Sequence, residues 1–175
     1  MKIKTFDISN GEGIRTSIFF SGCHFHCKGC FNKEAWDFDA GRPFTREVYE
    51  NEIKPTINEH VSGISILGGE PLHPNNMQEV CELIEWFKHD FPDKTIWLWT
   101  GYTLNEIKSR CSVYDIPSDM DAICVRMVLL QIDVLVDGQF IEEQKDLTLK
   151  WRGSKNQRII DVKETLKQNK IIEKI

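Results

Sequence analysis

Four short runs along the chain are β-branched, aromatic or otherwise apolar, each bounded by polar or glycine-containing stretches. They are TSIFF (16–20), ISIL (64–67), TIWLW (95–99) and IDVLV (132–136). Runs of this length and make-up predict buried strands. Between the second and third, Met77, Val80, Cys81, Ile84, Phe87 and Phe91 recur at helical spacing. That stripe predicts an amphipathic helix with Asn76 and Glu79 as its capping pair. A weaker helical pattern follows Thr45, and Pro55 is expected to break or kink it near Lys54. Thr103 to Arg110 predicts a third, short helix. Strands alternating with helices at intervals of roughly 30 residues predict βαβ units and a parallel sheet.

Each predicted strand runs into an unusual motif. SGCHFHCKGC follows TSIFF, GGEP follows ISIL, TGY follows TIWLW and DG follows IDVLV. The C-terminal edge of a parallel sheet is where α/β folds bind ligands, so four motifs there predict one site assembled from four loops. An eight-stranded barrel usually takes more than about 200 residues, and this chain has 175. The expected fold class is therefore α/β: an incomplete, TIM-type βα barrel with mostly parallel strands, open on one side. No internal repeat or low-complexity segment interrupts the pattern, and residues 1–175 are expected to form a single domain.

Composition narrows the function classes. The formal net charge of −5 leaves no global basic field to draw in nucleic acid. Basic residues gathered after Lys150 read as a solvated C-terminal face. The opening MKIKTFDISNGEG has no long apolar run, so neither a secretory signal nor a membrane span is expected. The expected location is the cytoplasm, where thiols stay reduced and clustered cysteines point to metal or catalysis rather than disulfides.

CHFHCKGC (23–30) places Cys23, Cys27 and Cys30 in the spacing C-x3-C-x2-C. A structural zinc site takes four ligands, commonly as two paired knuckles; here the second pair is absent, and His24 or His26 would have to supply the fourth ligand. A four-iron cluster normally takes four thiolates, and three would leave one iron open to a substrate. In GGEP, Gly68 and Gly69 allow backbone to approach a ligand, Glu70 can pair with an ammonium group, and Pro71 fixes the turn. Thr100, Gly101 and Tyr102 follow a strand at the same edge and are candidates for lining a cofactor pocket. Asp137 either meets a ribose or a cation, or closes an Asp-Gly turn. Arg15 and Arg152 are candidates for contacting a cofactor carboxylate or a partner. Cys81 lies on the apolar helix stripe and reads as core, and Trp97 and Trp99, two apart on one strand face, read as core packing. Cys111 and Cys124 have no second pair to make a further metal site, and His60, His73 and His89 carry no assigned chemistry.

Together, C-x3-C-x2-C after the first strand and GGEP after the next resemble the radical S-adenosylmethionine superfamily. The resemblance implies that Cys23, Cys27 and Cys30 hold a 4Fe-4S cluster, with S-adenosyl-L-methionine chelating the fourth iron. It further implies that reduction of the sulfonium gives methionine and a 5′-deoxyadenosyl radical. Gly68, Gly69 and Glu70 would grip the methionine end, with Thr100, Gly101, Tyr102 and Asp137 as further cofactor-binding candidates.

Within that superfamily, several stretches resemble the activating enzymes of anaerobic (class III) ribonucleoside-triphosphate reductases. They are NGEGIRTSIFFSGC (10–23), CKGCFNKEAWDF (27–38), LGGEPLHPNN (67–76), IWLWTGY (96–102), VLVDG (134–138) and WRGSKNQRIID (151–161). This implies hydrogen abstraction from a glycine of the reductase large subunit, a flavodoxin-type or similar electron donor, and no nucleic-acid or membrane partner. Another glycyl-radical enzyme, or a small molecule as in 7-carboxy-7-deazaguanine synthase, would be served by the same chemistry, but WRGSKNQRIID disfavours both. A zinc-binding interaction module is the non-catalytic alternative. The chain departs from the branch pattern at Glu12, where proline is usual, at Phe31, where tyrosine is usual, and in carrying His24 and His26 around Phe25. Residues 10–161 make up the resembling core, 111–131 read as an insertion, and 162–175 as a C-terminal tail.

Overall fold

In the computed structural model, which describes residues 1–111 and 119–174, the four expected strands are present and adjacent. They are β2 (Ile14–Phe20), β3 (Val61–Gly68), β4 (Thr95–Trp99) and β5 (Val134–Asp137). The pairings of β2 with β3, β3 with β4, and β4 with β5 are all parallel. Two strands that the hydrophobic pattern did not predict flank them antiparallel: β1 (Lys2–Asp7) on β2, and β6 (Arg158–Asp161) on β5. The result is an open, mostly parallel sheet in the order β1-β2-β3-β4-β5-β6. β1 escaped the pattern because only Asp7 of its six residues is buried; backbone pairing rather than apolar burial makes it a strand. β6 has only four residues, too few for a period to show.

The helices follow the expected order, with one correction at the start of the long helix. Thr45 accepts a hydrogen bond from the Val48 amide and starts α1 (Arg46–Val48). This widens into a π turn over Tyr49–Ile53 and closes as a 3-10 turn over Lys54–Thr56, where Pro55 denies the helix a donor. The long helix is α2 (Pro74–Asp90), and its N-cap is His73, not Asn76. Pro74 presets the first helical position and has no amide hydrogen to satisfy, which moves the start upstream. Asn76 is thereby freed to point inward from the first turn. Thr103 and Glu106 form a complete capping box for α3 (Leu104–Arg110). Of the segment read as an insertion, residues 112–118 lie outside the described part, and residues 120–131 form α4 (Met120–Gln131), which packs against α2 as part of the core. The chain ends with α5 (Val162–Gln168).

Alternation along the strands divides the sheet into two chemically different faces. Ile18 and Phe20, Ile64 and Ile66, Ile96 and Leu98, Leu135 and Ile160 belong to the main core. The same core takes in Val80, Leu83, Ile84 and Phe87 of α2 and Val125, Val128 and Leu129 of α4. The intervening residues make a smaller second cluster of Trp97, Val134, Val136 and Ile159, with Trp99 and Trp151 against it. Trp97 is 2% exposed, stacked on Trp99 and met edge-on by Trp151. On this second face, and toward the N-terminal ends of the strands, lies Arg15, which is fully buried. Its guanidinium donates to Ser65 Oγ (2.8 Å), the carbonyls of Ile64 (2.6 Å), Thr95 (2.8 Å) and Glu12 (3.1 Å), and Thr95 Oγ1 (3.0 Å). Burial pushes its pKa down to about 10, so it stays charged at neutral pH. Arg15 is thus a clamp across β2, β3 and β4, at the end of the sheet away from Cys23.

Replacing Arg15 by Met would leave several buried carbonyls and hydroxyls without donors, each costing about 1–3 kcal/mol. Arg15→Met is expected to lower unfolding free energy by about 3 kcal/mol or more, read as a lower urea midpoint. An unchanged midpoint would show that the clamp does not carry stability.

Candidate functional site

The cysteine loop leaves β2 and is stitched at once to the loop after β3. The amide of Gly69 donates to the Phe20 carbonyl (2.8 Å) and that of Glu70 to the Gly22 carbonyl (2.7 Å). On its other side the loop is tied to the 3-10 turn Lys33–Trp36: Gly22 N donates to Ala35 O (2.8 Å) and Cys23 N to Trp36 O (3.1 Å). Space between these strands of backbone is so short that a Cβ on Gly69 would lie 2.3 Å from Gly22 O and 2.7 Å from Ala35 O. From α2, the freed Asn76 amide donates to Ser21 O and Glu70 O, both at 2.9 Å, locking the two loops together.

Cys23 is buried, while Cys27 and Cys30 are half-buried. Burial pushes the Cys23 and Cys27 thiols up from their ordinary value. Between them the backbone turns at His26, which has φ of 46° and packs its ring, tilted, against Trp36 at 4.7 Å. Such a backbone conformation is uncommon for a non-glycine residue; here it aims the loop's cysteines toward one side.

Glu70 joins the third loop. It is fully buried, and its Oε1 accepts from Leu72 N (2.8 Å) and Thr100 Oγ1 (2.7 Å) while Oε2 accepts from Gly101 N (2.7 Å). Burial pushes its pKa up to about 7, against the pull of these three donors. A carboxylate has about four acceptor positions, so one on Oε2 stays open. Gly101 is also where the Phe25 ring closes in, 2.5 Å from where a Cβ would stand.

These loops enclose a cavity of about 490 Å³. Of the residues singled out from the sequence, Cys23, Cys27, Cys30, Gly68, Gly69, Glu70, Thr100 and Gly101 all line it. Tyr102 and Asp137 do not. The Tyr102 ring packs on Phe25 (5.0 Å) and His24 (5.5 Å), beneath the Arg110 guanidinium. Asp137 is buried and bound within the protein: its Oδ2 accepts from Leu104 N at the start of α3 (2.7 Å), and Arg158 donates to both its oxygens. Asp137 is the last residue of β5 and its carboxylate is engaged within the protein, so Gly138 rather than Asp137 is on the cavity wall. Arg152 lines the cavity and Arg15 does not. Cys81, Cys111 and Cys124 belong to the main core.

Sequence reasoning missed several residues of the site. Phe25 gave no signal, and Asn76 signalled only a helix cap, because their roles in the site depend on contacts with distant loops. Trp151 and Gln157, which also line the cavity, fall inside the WRGSKNQRIID stretch, which stood out only as a pattern.

Three thiols on one cavity, facing glycine surfaces, suit a ligand held from one side. Among the described residues, no three of His, Cys, Asp and Glu lie close enough to hold a single metal ion. A cubane, by contrast, spreads its thiolates over separate iron corners, so three cysteines around one cavity fit that group.

The raised Glu70 pKa has a sign that can be checked. Between about pH 4.5 and pH 7 the folded chain holds a proton at Glu70 that the unfolded chain has lost, so this contribution to stability is present below pH 4.5 and lost as pH rises through 7. The unfolding free energy of the wild type relative to Glu70→Gln is expected to fall by about 3 kcal/mol across that window. Paired denaturant titrations at several pH values measure it, and a difference flat with pH would refute the buried, weakly compensated carboxylate.

The family model for a 4Fe-4S single cluster domain matches residues 9–160. A protein of Pasteurella multocida (strain Pm70) is 41% identical over 153 residues, covering 86% of this chain and 89% of its own. One of Escherichia coli (strain K12) is 39% identical over 154 residues, covering 86% and 90%. One of Enterobacteria phage T4 is 34% identical over 160 residues, covering 90% of each. All three carry the name anaerobic ribonucleoside-triphosphate reductase-activating protein. With that identity spread over nearly its whole length, this chain belongs to the 4Fe-4S single cluster domain family, alongside the anaerobic ribonucleoside-triphosphate reductase-activating proteins.

Proposed function

We propose that this protein is a radical S-adenosylmethionine activase that installs a glycyl radical on the large subunit of anaerobic ribonucleoside-triphosphate reductase. The observation that carries the reading is the convergence of Cys23, Cys27 and Cys30 with Gly68, Gly69, Glu70, Thr100 and Gly101 on one cavity. Relatives named for activating that reductase supply the target. The sheet with its cavity at the C-terminal strand ends is read as an incomplete TIM-type βα barrel, a single domain over 1–175. Among the described residues no helix is long and apolar enough to cross a membrane; the proposed location is the cytoplasm, with a flavodoxin-type electron donor.

In this reading Cys23, Cys27 and Cys30 hold three irons of a 4Fe-4S cluster. The chemistry supplied there, once cluster and S-adenosyl-L-methionine are bound, is one-electron reduction of the sulfonium to methionine and a 5′-deoxyadenosyl radical, which takes a hydrogen atom from a glycine Cα. The chain's own work is binding, orientation and exclusion of water. Gly68 and Gly69 bring backbone close to the ligand. The open acceptor position on Glu70 Oε2 takes the ammonium, and the other three keep that carboxylate from turning away. Phe25, Trp99 and Trp151 make the walls apolar and help to exclude water. Tyr102 and Asp137 act through what they hold in place, Phe25 and the start of α3 respectively.

Anaerobic reconstitution with iron and sulfide is expected to give four irons and four sulfides per chain and broad visible absorption. Cys23→Ala, Cys27→Ala and Cys30→Ala are each expected to lose most of that iron, whereas Cys81→Ala, Cys111→Ala and Cys124→Ala retain it. Retention in the first three variants would sink the ligand assignment. With cofactor, reductant and the reductase added, electron paramagnetic resonance is expected to show a glycyl doublet on the large subunit. Cofactor cleavage without that doublet would redirect the activity to another target.

A further inference from the structure

Each of the three cysteine sulfurs has a backbone amide turned toward it, and one of those amides comes from outside the cysteine loop. Cys30 Sγ accepts from Asn32 N (3.4 Å), two residues on. Cys23 takes the amides of Phe25 and His26, also within the loop. Cys27, besides its own amide, takes that of Phe140, which follows β5. Burial pushes the Cys27 thiol up, and the Phe140 amide pulls it back. The local donors come with the turn itself. The Phe140 amide reaches Cys27 only because the chain around it is held there.

That hold is made from two sides. Gly138, at φ of 97°, turns the chain out of β5, and its carbonyl accepts from Gln157 Nε2 (2.9 Å). Gln139 O accepts from Asn156 Nδ2 (2.8 Å), and Ile141 N donates to the buried hydroxyl of Ser154 (3.2 Å). The residues on either side of Phe140 are thus tied to the WRGSKNQ stretch. The Phe140 ring lies against Gly153, 3.0 Å from where a Cβ would stand. WRGSKNQ is itself anchored: Trp151, at φ of 59°, gives its carbonyl to Trp99 Nε1 (2.8 Å) and meets the Trp97 ring at 5.1 Å. On the other side, the 3-10 turn Glu142–Gln144 sits on the cysteine loop. Lys28, next to Cys27, pairs with Glu142 (3.2 Å) and Glu143 (3.3 Å). Gly29 leaves room for that contact, since a Cβ there would lie 2.6 Å from Glu142 Oε1. Exposed ion pairs are weak singly; these align the turn, while the hydrogen bonds to WRGSKNQ bear the load.

An amide hydrogen aimed at a sulfur favours negative charge on it. Reducing an iron–sulfur cluster adds negative charge that its sulfurs share, and hydrogen bonds to those sulfurs are among the things that set its potential. We infer that residues 138–144 form a strap that brings the Phe140 amide to the Cys27 sulfur and so makes the cluster held there easier to reduce. This inference rests on the proposed function above. It goes beyond that reading by giving a segment far from the cysteines in sequence, and the WRGSKNQ stretch beneath it, a part in tuning the cluster.

The test is a redox titration of the anaerobically reconstituted protein, followed by electron paramagnetic resonance of the reduced cluster, with neither cofactor nor reductase present. Phe140→Pro has no amide hydrogen to give. It is expected to make the cluster about tenfold harder to reduce, a midpoint lower by ~59 mV for one electron. Phe140→Leu keeps the amide and is expected to titrate like wild type. Equal falls in the two variants would assign the effect to the ring, and no fall in Phe140→Pro would mean that the amide does not reach the cluster; each overturns the inference. A second measurement decides the matter where Phe140→Pro assembles no cluster. Wild type and Phe140→Leu are grown with phenylalanine carrying the heavy nitrogen isotope, reduced, and compared by pulsed electron paramagnetic resonance. Wild type is expected to show nitrogen couplings from both Phe25 and Phe140, and Phe140→Leu only that from Phe25. Identical spectra would overturn the strap. Wild-type protein that assembles no cluster at all would instead overturn the proposed function.

Discussion

A carboxylate sealed away from water needs donors, and Glu70 collects them from two separate loops. Leu72 lies two residues on in the same turn, while Thr100 and Gly101 belong to the loop after the neighbouring strand. Because an unmet buried charge is so costly, the three bonds cannot be given up singly. They hold the loops after β3 and β4 at one separation. The amide of Glu70 extends the same constraint to a third loop through Gly22 O, and Asn76 repeats it from the helix behind. Cys23 sits one residue beyond that joint. The position of the first cysteine relative to the glycine surfaces is therefore set by how one carboxylate is satisfied.

The sheet separates stability from chemistry by face and by end. One face gives its isoleucines and leucines to α2 and α4 and makes the larger core. The other holds the tryptophan cluster and, at the N-terminal ends of the strands, the Arg15 clamp. The C-terminal ends carry the loops that line the cavity with the three cysteines. The chain can hold strained residues such as His26 and Trp151 there because the layers beneath are fixed independently of them. The two arginines that looked alike in sequence occupy opposite ends of this plan. Arg15 has its donors directed at backbone carbonyls and hydroxyls, and Arg152 has donors to spare.

The cavity walls are mostly apolar or free of side chains, with polar groups at a few places. That distribution suits a charged ligand recognised at its ends and a reactive species kept from water between them. Glycine contributes by absence: at Gly69 there is no room for a Cβ beside two carbonyls, and at Gly101 none beside the Phe25 ring. The same closeness that excludes a side chain brings the loops within hydrogen-bonding reach of each other.

Much of this was legible in the residues. Four apolar runs gave the four parallel strands in order, the stripe from Met77 gave α2, Pro55 ended the helix after Thr45, and the motifs at the strand ends gave eight of the residues on the cavity wall. Those features are local, since periodicity and punctuation act within a few residues of where they are written. The edge strand β1 was hidden because pairing rather than burial makes it a strand, and α4 because a segment apolar on most sides shows no stripe, although Asp119 caps it. Tyr102 and Asp137 stand at the edge the sequence indicated, yet one faces away and the other is consumed by Arg158 and the start of α3. Which way a side chain turns at a strand end, and whether a partner from 21 residues away along the chain reaches it first, are decided only when the sheet closes those distances. The sequence by itself determined the order of the elements and the chemistry available at one edge. The tertiary structure alone decided which of those groups are spent on holding the loops and which remain for a ligand.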